Sequence, residues 1–234
     1  MKTRPQLKIQ DWPDPLSESQ REQYRRDFQC DGFIAFNNVL LPDEVEKIRQ
    51  SFSGLVLKAR RQNLDFTKGV DNVRALDRKG EFYIQYESGT DRNKLTDENA
   101  EVVVRKMMSF VDQDPLFHYI AFEHPGIKAM VETAVGTGFI LFQEMALVKP
   151  AFVGEERAWH QDDSYFAVKP LEAVAGLWIA LDKATVENGC MHVIPGAHKR
   201  GPLLQSAAVG CTIADGRIDK GVAVPIELEP GGAV

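Results

Sequence analysis

Charged and apolar positions fall into blocks along the first sixty or so residues. Ser17 with Gln20 three positions on has the form of a capping box, and the charged run behind it predicts a helix to about Cys30, where Asp31-Gly32 breaks it. Phe33 to Phe36 reads as a short strand. Leu41-Pro42-Asp43 offers a second helix start, and Val45, Ile48, Phe52 and Leu55 recur at helical spacing up to about Arg61.

Residues Gln62 to Asn99 mix charges and glycines and predict irregular structure, apart from Phe82-Tyr83-Ile84-Gln85-Tyr86, which suits a strand or part of a mobile flap. Glu101 to Val111 and Pro125 to Val135 carry helical periodicity, and Gly136-Thr137-Gly138 closes the second of them. From Phe139 the texture changes to short apolar runs broken by turn residues: Phe139 to Val148, Tyr165 to Val168, Val174 to Leu181, Met191 to Ile194 and Val222 to Leu228. Gln205 to Lys220 reads as a long loop. The pattern therefore predicts an α+β fold, with helices packed on an antiparallel β-core, in a single domain over residues 1–234.

Composition narrows the function classes. Hydrophobic residues at 44% and charged residues at 26% belong to an ordinary globular chain. A net charge of -6 provides no basic field for a phosphate backbone, so nucleic acid is excluded as the main partner. A local basic pocket for an anionic metabolite stays open, with Arg60, Arg61, Arg74 and Arg78 as candidates against the alternative of a solvated face. Cys30, Cys190 and Cys211 are too scattered for a disulfide framework or a structural zinc site, which points to a reducing, cytoplasmic setting. Met1 to Asp14 lack the apolar stretch of a signal peptide, and the longest apolar run, Ala173 to Leu181, is too short to span a bilayer, so no membrane partner is expected. Nothing in the pattern sets an oligomeric state.

The chemistry concentrates in Trp159-His160-Gln161-Asp162-Asp163. Side chains two apart on a strand share a face, so His160 and Asp162 at a strand end reach one metal ion. Imidazole plus carboxylate suits iron(II), whose 2-His-1-carboxylate triad leaves positions open for a chelating cosubstrate and oxygen. A zinc site built on the same pair, or a surface salt bridge, uses the same two residues.

Downstream come Gly176-Leu177-Trp178-Ile179-Ala180-Leu181-Asp182, then Glu187-Asn188-Gly189-Cys190-Met191-His192-Val193-Ile194-Pro195-Gly196-Ala197-His198-Lys199. With the His-x-Asp segment, and with Tyr24-Arg25-Arg26-Asp27, Asp31-Gly32-Phe33 and Leu41-Pro42-Asp43-Glu44-Val45 near the start, this string resembles the phytanoyl-CoA dioxygenase family. That family shows an HxD segment, a WxALD-like strand and an NGCL-like turn leading to PGSHK, in this order.

The resemblance implies a double-stranded β-helix (jelly-roll, cupin-like) core with flanking N-terminal helices. It further implies iron(II), 2-oxoglutarate as cosubstrate, O2, a small organic substrate and hydroxylation of an aliphatic carbon with release of succinate and CO2. His160 and Asp162 match the first two iron ligands, while Lys106, Met145 and Trp178 match positions that line the cosubstrate site. Read from the residues alone, Lys106 is a solvated helix lysine or an anion contact, and Met145 and Trp178 are core packing or cosubstrate contacts. Related halogenases carry a small residue in place of the carboxylate ligand, so Asp162 favours hydroxylation. His192 and His198 are set aside because the family's third ligand comes from a later strand, and His118 and His124 read as structural or exposed. The chain ends at Glu229-Pro230-Gly231-Gly232-Ala233-Val234, before the distal histidine and the arginine and serine that hold the far carboxylate in the family. The expectation is a domain lacking its C-terminal strands. A non-catalytic β-helix protein that binds a metabolite or metal is the alternative.

Overall fold

The computed structural model describes residues 7, 9–67, 80–152, 154, 156–162, 168–170, 173–203, 205–206, 212–214 and 216–234. Arg74, Arg78, Asp163, Cys211 and all but the last residue of the Tyr165 to Val168 run lie outside them. Helices and mixed sheets alternate along the chain, which divides into two compact units.

The first unit comprises residues 1–42, 125–139 and 157–234. Strand β1 (Gln10–Asp11) pairs in parallel with β2 (Phe36–Asn37), and α1 (Glu18–Asp31) lies between them in sequence. The capping box is formed: the Gln20 backbone N–H donates to Ser17 Oγ at 3.3 Å, and the Ser17 N–H donates to Gln20 Oε1 at 3.1 Å. Gly32, at φ 83°, ends α1 by donating its N–H to Phe28 O at 2.7 Å. No residue of α1 is fully buried. It is held to α4 (Pro125–Val135) by Arg21, which reaches Glu132 at 3.8 Å, and by Arg25, which donates to Thr133 O at 3.4 Å.

The core of this unit gathers Ala180, Ala184, Cys190, Ile226 and Leu228, with Phe33, Trp178, Val193 and Val234 packed against it. Antiparallel β7 (Met191–Val193) and β10 (Val224–Ile226) supply part of it, and β8 (Gln205–Ser206) pairs with β9 (Thr212–Ile213). Residues 231–234 form a ribbon with partners on both sides. Trp178 and Val234 exchange N–H···O bonds, each at 2.9 Å, while Phe36 and Ala233 do the same at 2.9 and 2.8 Å. Of the expected strand Val174 to Leu181, only Ile179 is bridged, opposite Ala233.

The second unit comprises residues 43–124 and 140–156. Helix α2 (Pro42–Arg61) buries Val45, Ile48, Leu55, Val56 and Ala59 on one stripe, as its spacing predicts. Its Phe52 stacks against Phe110 and Phe117, the latter on α3 (Pro115–Phe122). The hydrophobic pattern alone does not predict α3, although Asp114 accepts from Leu116 N at 2.9 Å and Pro115 opens the first turn, a recognisable start.

A four-stranded sheet runs β3-β4-β5-β6, from Asp65–Thr67, Tyr83–Tyr86, Val104–Met108 and Met145–Leu147. Its β3–β4 pair is parallel and the rest antiparallel, so the sheet is mixed rather than purely antiparallel.

The helix expected over Glu101 to Val111 is corrected to a 3-10 turn at Glu101–Val103 followed by β5. Apolar residues at 103, 104, 107, 110 and 111 imitate a helical stripe, but the β-branched run Val102-Val103-Val104 favours extended backbone. Tertiary pairing on both edges then decides, because the backbone satisfies its groups against Tyr83–Tyr86 and Met145–Leu147. On the buried side Arg105 and Glu87 pair at 3.0 Å with side chains 8% and 5% exposed. Tyr86 OH donates to Asp65 at 3.2 Å, and Arg92 pairs with the same carboxylate. Burial, with Asp65 beside it, holds the Tyr86 phenol protonated far above its ordinary range.

Candidate metal centre and cosubstrate face

His160 and Asp162 lie in an irregular segment rather than on the strand end expected from the sequence. They meet nonetheless: His160 Nε2 stands 3.4 Å from Asp162 Oδ1. Local contacts set the segment. Ile213 N donates to Trp159 O at 2.8 Å, tying the residue before His160 to β9. The amide of Gln161 spans two backbone groups, donating to Gly201 O at 3.3 Å and accepting from Leu203 N at 2.7 Å.

The tautomer of His160 follows from its other neighbour. Nδ1 lies 2.7 Å from Ala158 O, and a carbonyl can only accept, so Nδ1 carries hydrogen and Nε2 is the atom left to face Asp162. A ligating histidine is oriented in the same way, with its second ring nitrogen donating to a carbonyl. The hydrogen bond to Asp162 raises the His160 pKa above its ordinary value of 6.5, against the opposing effect of burial. Protein donors about 2.1 Å from an octahedral ion are about 3 Å apart when adjacent, so the 3.4 Å pair needs only a small adjustment to take one ion. The donor set therefore fits a divalent metal as two of its ligands. Among the described residues, no group of three or more His, Cys, Asp or Glu side chains is placed to hold a metal.

Lys106 and Met145 belong to the second unit and share one face of its sheet. Register places Lys106 opposite Gln85 on β4 and Leu147 on β6, and places Met108 opposite Tyr83 and Met145. Directly opposed residues share a face, so Tyr83, Gln85, Lys106, Met108, Met145 and Leu147 form two adjacent rows. Two contacts agree with this: Lys106 Nζ lies 5.9 Å from the Tyr83 ring centre, and Tyr83 packs on Phe66. Lys106 is thus a half-buried strand residue, not a solvated helix lysine. Burial grades along the rows, from Tyr83 and Gln85 at 7% exposed to Met145 and Leu147 at 41% and 45%. Sequence reasoning misses Tyr83, Gln85 and Met108. The period-two alternation of Phe82 to Tyr86 is the available signal, but the partner strand carries a helix-like pattern that conceals the pairing.

Trp178, in the first unit, is half-buried against the Ala180–Leu228 cluster. His192 Nδ1 lies 3.2 Å from Cys190 O, and His198 Nε2 lies 3.1 Å from Gln29 O. His124 is buried 3.3 Å from Glu44, and His118 is exposed on α3. Arg60 and Arg61 are engaged with Asp97, each at 3.4 Å, and Arg60 also donates to Leu95 O. The two cations share one carboxylate, and the Arg61 side chain is 70% exposed. No helix among the described residues is long and apolar enough to cross a membrane.

A family model described as Phytanoyl-CoA dioxygenase (PhyH) matches residues 28–234. Curated relatives agree. The phytanoyl-CoA dioxygenase domain-containing protein 1 of Bos taurus is 28% identical over 206 residues, covering 80% of this chain and 67% of that protein. Its homolog in Caenorhabditis elegans is 25% identical over 198 residues, covering 75% and 64%. The peroxisomal phytanoyl-CoA dioxygenase of Bos taurus is 25% identical over 184 residues, covering 77% and 48%. The chain thus spans from about half to two thirds of the length of these relatives. Among solved structures, EctD from S. alaskensis with bound Fe matches with a TM-score of 0.61 at 20% identity, covering 98% of this chain and 73% of that one. EvdO2 from Micromonospora carbonacea var. aurantiaca, complexed with 2-oxoglutarate, matches with a TM-score of 0.54 at 21% identity, covering 91% and 78%. At such identities the likeness is one of fold.

Proposed function

The chain belongs to the phytanoyl-CoA dioxygenase family, and from that premise we propose that it is an iron(II)- and 2-oxoglutarate-dependent dioxygenase that hydroxylates an aliphatic carbon of a small organic substrate. The observation that carries this reading is the His160–Asp162 pair, with its ring oriented by Ala158 and its donor atoms 3.4 Å apart. His160 and Asp162 are the two iron ligands contributed by the described residues. Lys106, Met145 and Trp178 contact 2-oxoglutarate. The core is a double-stranded β-helix, a reading supported by the likeness of fold to EctD, solved with Fe, and EvdO2, solved with 2-oxoglutarate.

When bound, iron and 2-oxoglutarate supply the oxidising chemistry, in which one oxygen atom of O2 ends in succinate and the other in the hydroxylated product, with loss of CO2. The chain's own residues bind and orient. His160 gives up the proton it shares with Asp162, and the carboxylate adds one negative charge to the metal site. The Ala158 carbonyl keeps the ring from turning. The Lys106 ammonium neutralises a carboxylate of the cosubstrate, and its attachment to a central strand keeps it in place. Met108, Met145 and Leu147 line the same face with apolar surface that a bound cosubstrate would cover.

The test is succinate release by the intact protein with iron(II), 2-oxoglutarate and O2, screened over carboxylate, amino-acid and thioester substrates. Turnover that needs all three and is lost in His160→Ala supports the proposal. Activity that persists without oxygen, as a hydrolase would show, overturns it.

A further inference from the structure

Gln161, between His160 and Asp162, and His198, in the run Pro195-Gly196-Ala197-His198-Lys199, have no part in the chemistry above, yet one short length of backbone joins them. The Gln161 amide donates to Gly201 O at 3.3 Å and accepts from Leu203 N at 2.7 Å, so one planar group grips a carbonyl and an N–H of the same stretch. That stretch follows directly on the 3-10 turn Ala197–Arg200, and Gly201 N closes the turn on His198 O at 3.3 Å.

The turn is fastened to the end of α1. The last carbonyls of a helix find no partner within it. Here Gly196 N donates to Asp31 O at 2.8 Å, beside the bond that Gly32 N makes to Phe28 O. His198 Nε2 lies 3.1 Å from Gln29 O, and a carbonyl can only accept, so Nε2 is the donor. The imidazole packs so closely on Gly32 that a Cβ there would overlap the ring, and the φ of 83° at this position also favours glycine. All of these groups belong to the first unit.

We propose that Gln161 is a positioning residue for the metal pair, clamping its segment to Gly201–Leu203, and that His198 anchors that stretch to the end of α1. This rests on the metal-binding role proposed above for His160 and Asp162. The pair itself forms locally, but an ion needs more donors than these two, so the pair must also stand at a set place in the unit. Residues 158–162 belong to no strand, and no ladder sets their register. The two bonds of the Gln161 amide do so instead, as outer partners of a metal site commonly do for its ligands.

The experiment is titration of Co(II) into the intact protein, followed by visible absorption, which reports the ligand geometry, with the thermal midpoint of the metal-free protein recorded beside it. Gln161→Met, similar in length but without the amide, should weaken Co(II) binding by about tenfold or more and alter its visible band. His198→Leu should weaken it by roughly threefold, and His198→Gln, whose amide can still donate to Gln29 O, should restore it. Because the two residues act in series, combining Gln161→Met with His198→Leu should weaken binding no more than Gln161→Met alone. Unchanged Co(II) affinity and spectrum in Gln161→Met overturn the inference while leaving the proposed function standing. So do fully additive losses in the double variant, or a His198→Gln protein that binds no better than His198→Leu. Should Gln161→Met fail to fold, the two His198 variants decide by the same criterion. Failure of the unsubstituted protein to bind Co(II) overturns the proposed function itself, and the inference with it.

Discussion

His160 and Asp162 are neighbours in the chain that meet in an irregular segment, their side chains 34% and 63% exposed, whereas Gln85, Lys106 and Leu147 come from three strands and meet only because the ladders put them in one row. The first arrangement is local: two residues, one carbonyl and one tautomer suffice. The second is collective, since a one-residue slip of β5 would carry Lys106 to the opposite face. A local site can lose a ligand and keep its fold. A collective one is only as secure as the sheet that bears it.

The largest effect should come from breaking the sheet. Arg105→Ala leaves Glu87, just past the end of β4, buried and without its ion-pair partner, and should cost about 3–5 kcal/mol of unfolding free energy in urea titration. Replacing both partners, as Arg105→Met with Glu87→Leu, should restore much of it. A loss below about 1 kcal/mol for the single change would show that the pair does not hold the ladder.

His160→Ala should do the opposite. Metal affinity falls by at least about 100-fold, more than the loss of an outer partner of a ligand causes. The unfolding free energy of the metal-free protein changes by no more than about 0.5 kcal/mol, because the side chain is partly exposed. A collapse in stability would make this segment part of the core and erase the contrast.

The smallest effect is a shift along the pH axis. In the proposed site metal would need neutral His160, and Asp162 raises the pKa of that group above 6.5, so proton competition would start at a higher pH than for an ordinary histidine. Co(II) affinity should fall about tenfold per pH unit below that raised value. In the metal-free protein the linkage is reversed. The His160–Asp162 contact contributes stability that is full below the unfolded value of 6.5 and is lost as pH rises through the higher folded value. Asp162→Asn should move both transitions downward, as the pH profiles of metal titration and thermal midpoint would record.

The elements governed by local signals are legible in the sequence. Ser17 and Gly32 bracket α1, the Val45–Leu55 stripe marks α2, and Gly136 closes α4. The Trp159–Asp163 motif and the string from Trp178 to Lys199 carry the family, which the match over residues 28–234 bears out. The misreading of Glu101 to Val111 has a specific cause: residues 104 and 107 are buried in the sheet, and residues 110 and 111 in the turn after it, at intervals that a helix would also produce. That error hides the row containing Lys106 and Gln85, since a residue on a helix has no cross-strand partner. The helix at Pro115–Phe122 escapes the hydrophobic pattern although Asp114-Pro115 announces it.

What the sequence determined by itself is therefore the set of features whose physics spans a few residues: caps, helical stripes, and a histidine and carboxylate two positions apart. Tertiary structure alone decided which nitrogen of His160 faces Asp162, that Trp178 packs on the Ala180–Leu228 cluster, and that Lys106 stands on a strand between Gln85 and Leu147. The reason is hydrogen-bond satisfaction of the backbone. A helix meets that demand within its own segment, while a strand must find its partners elsewhere in the chain, and the side chains that share its face are known only when those partners are.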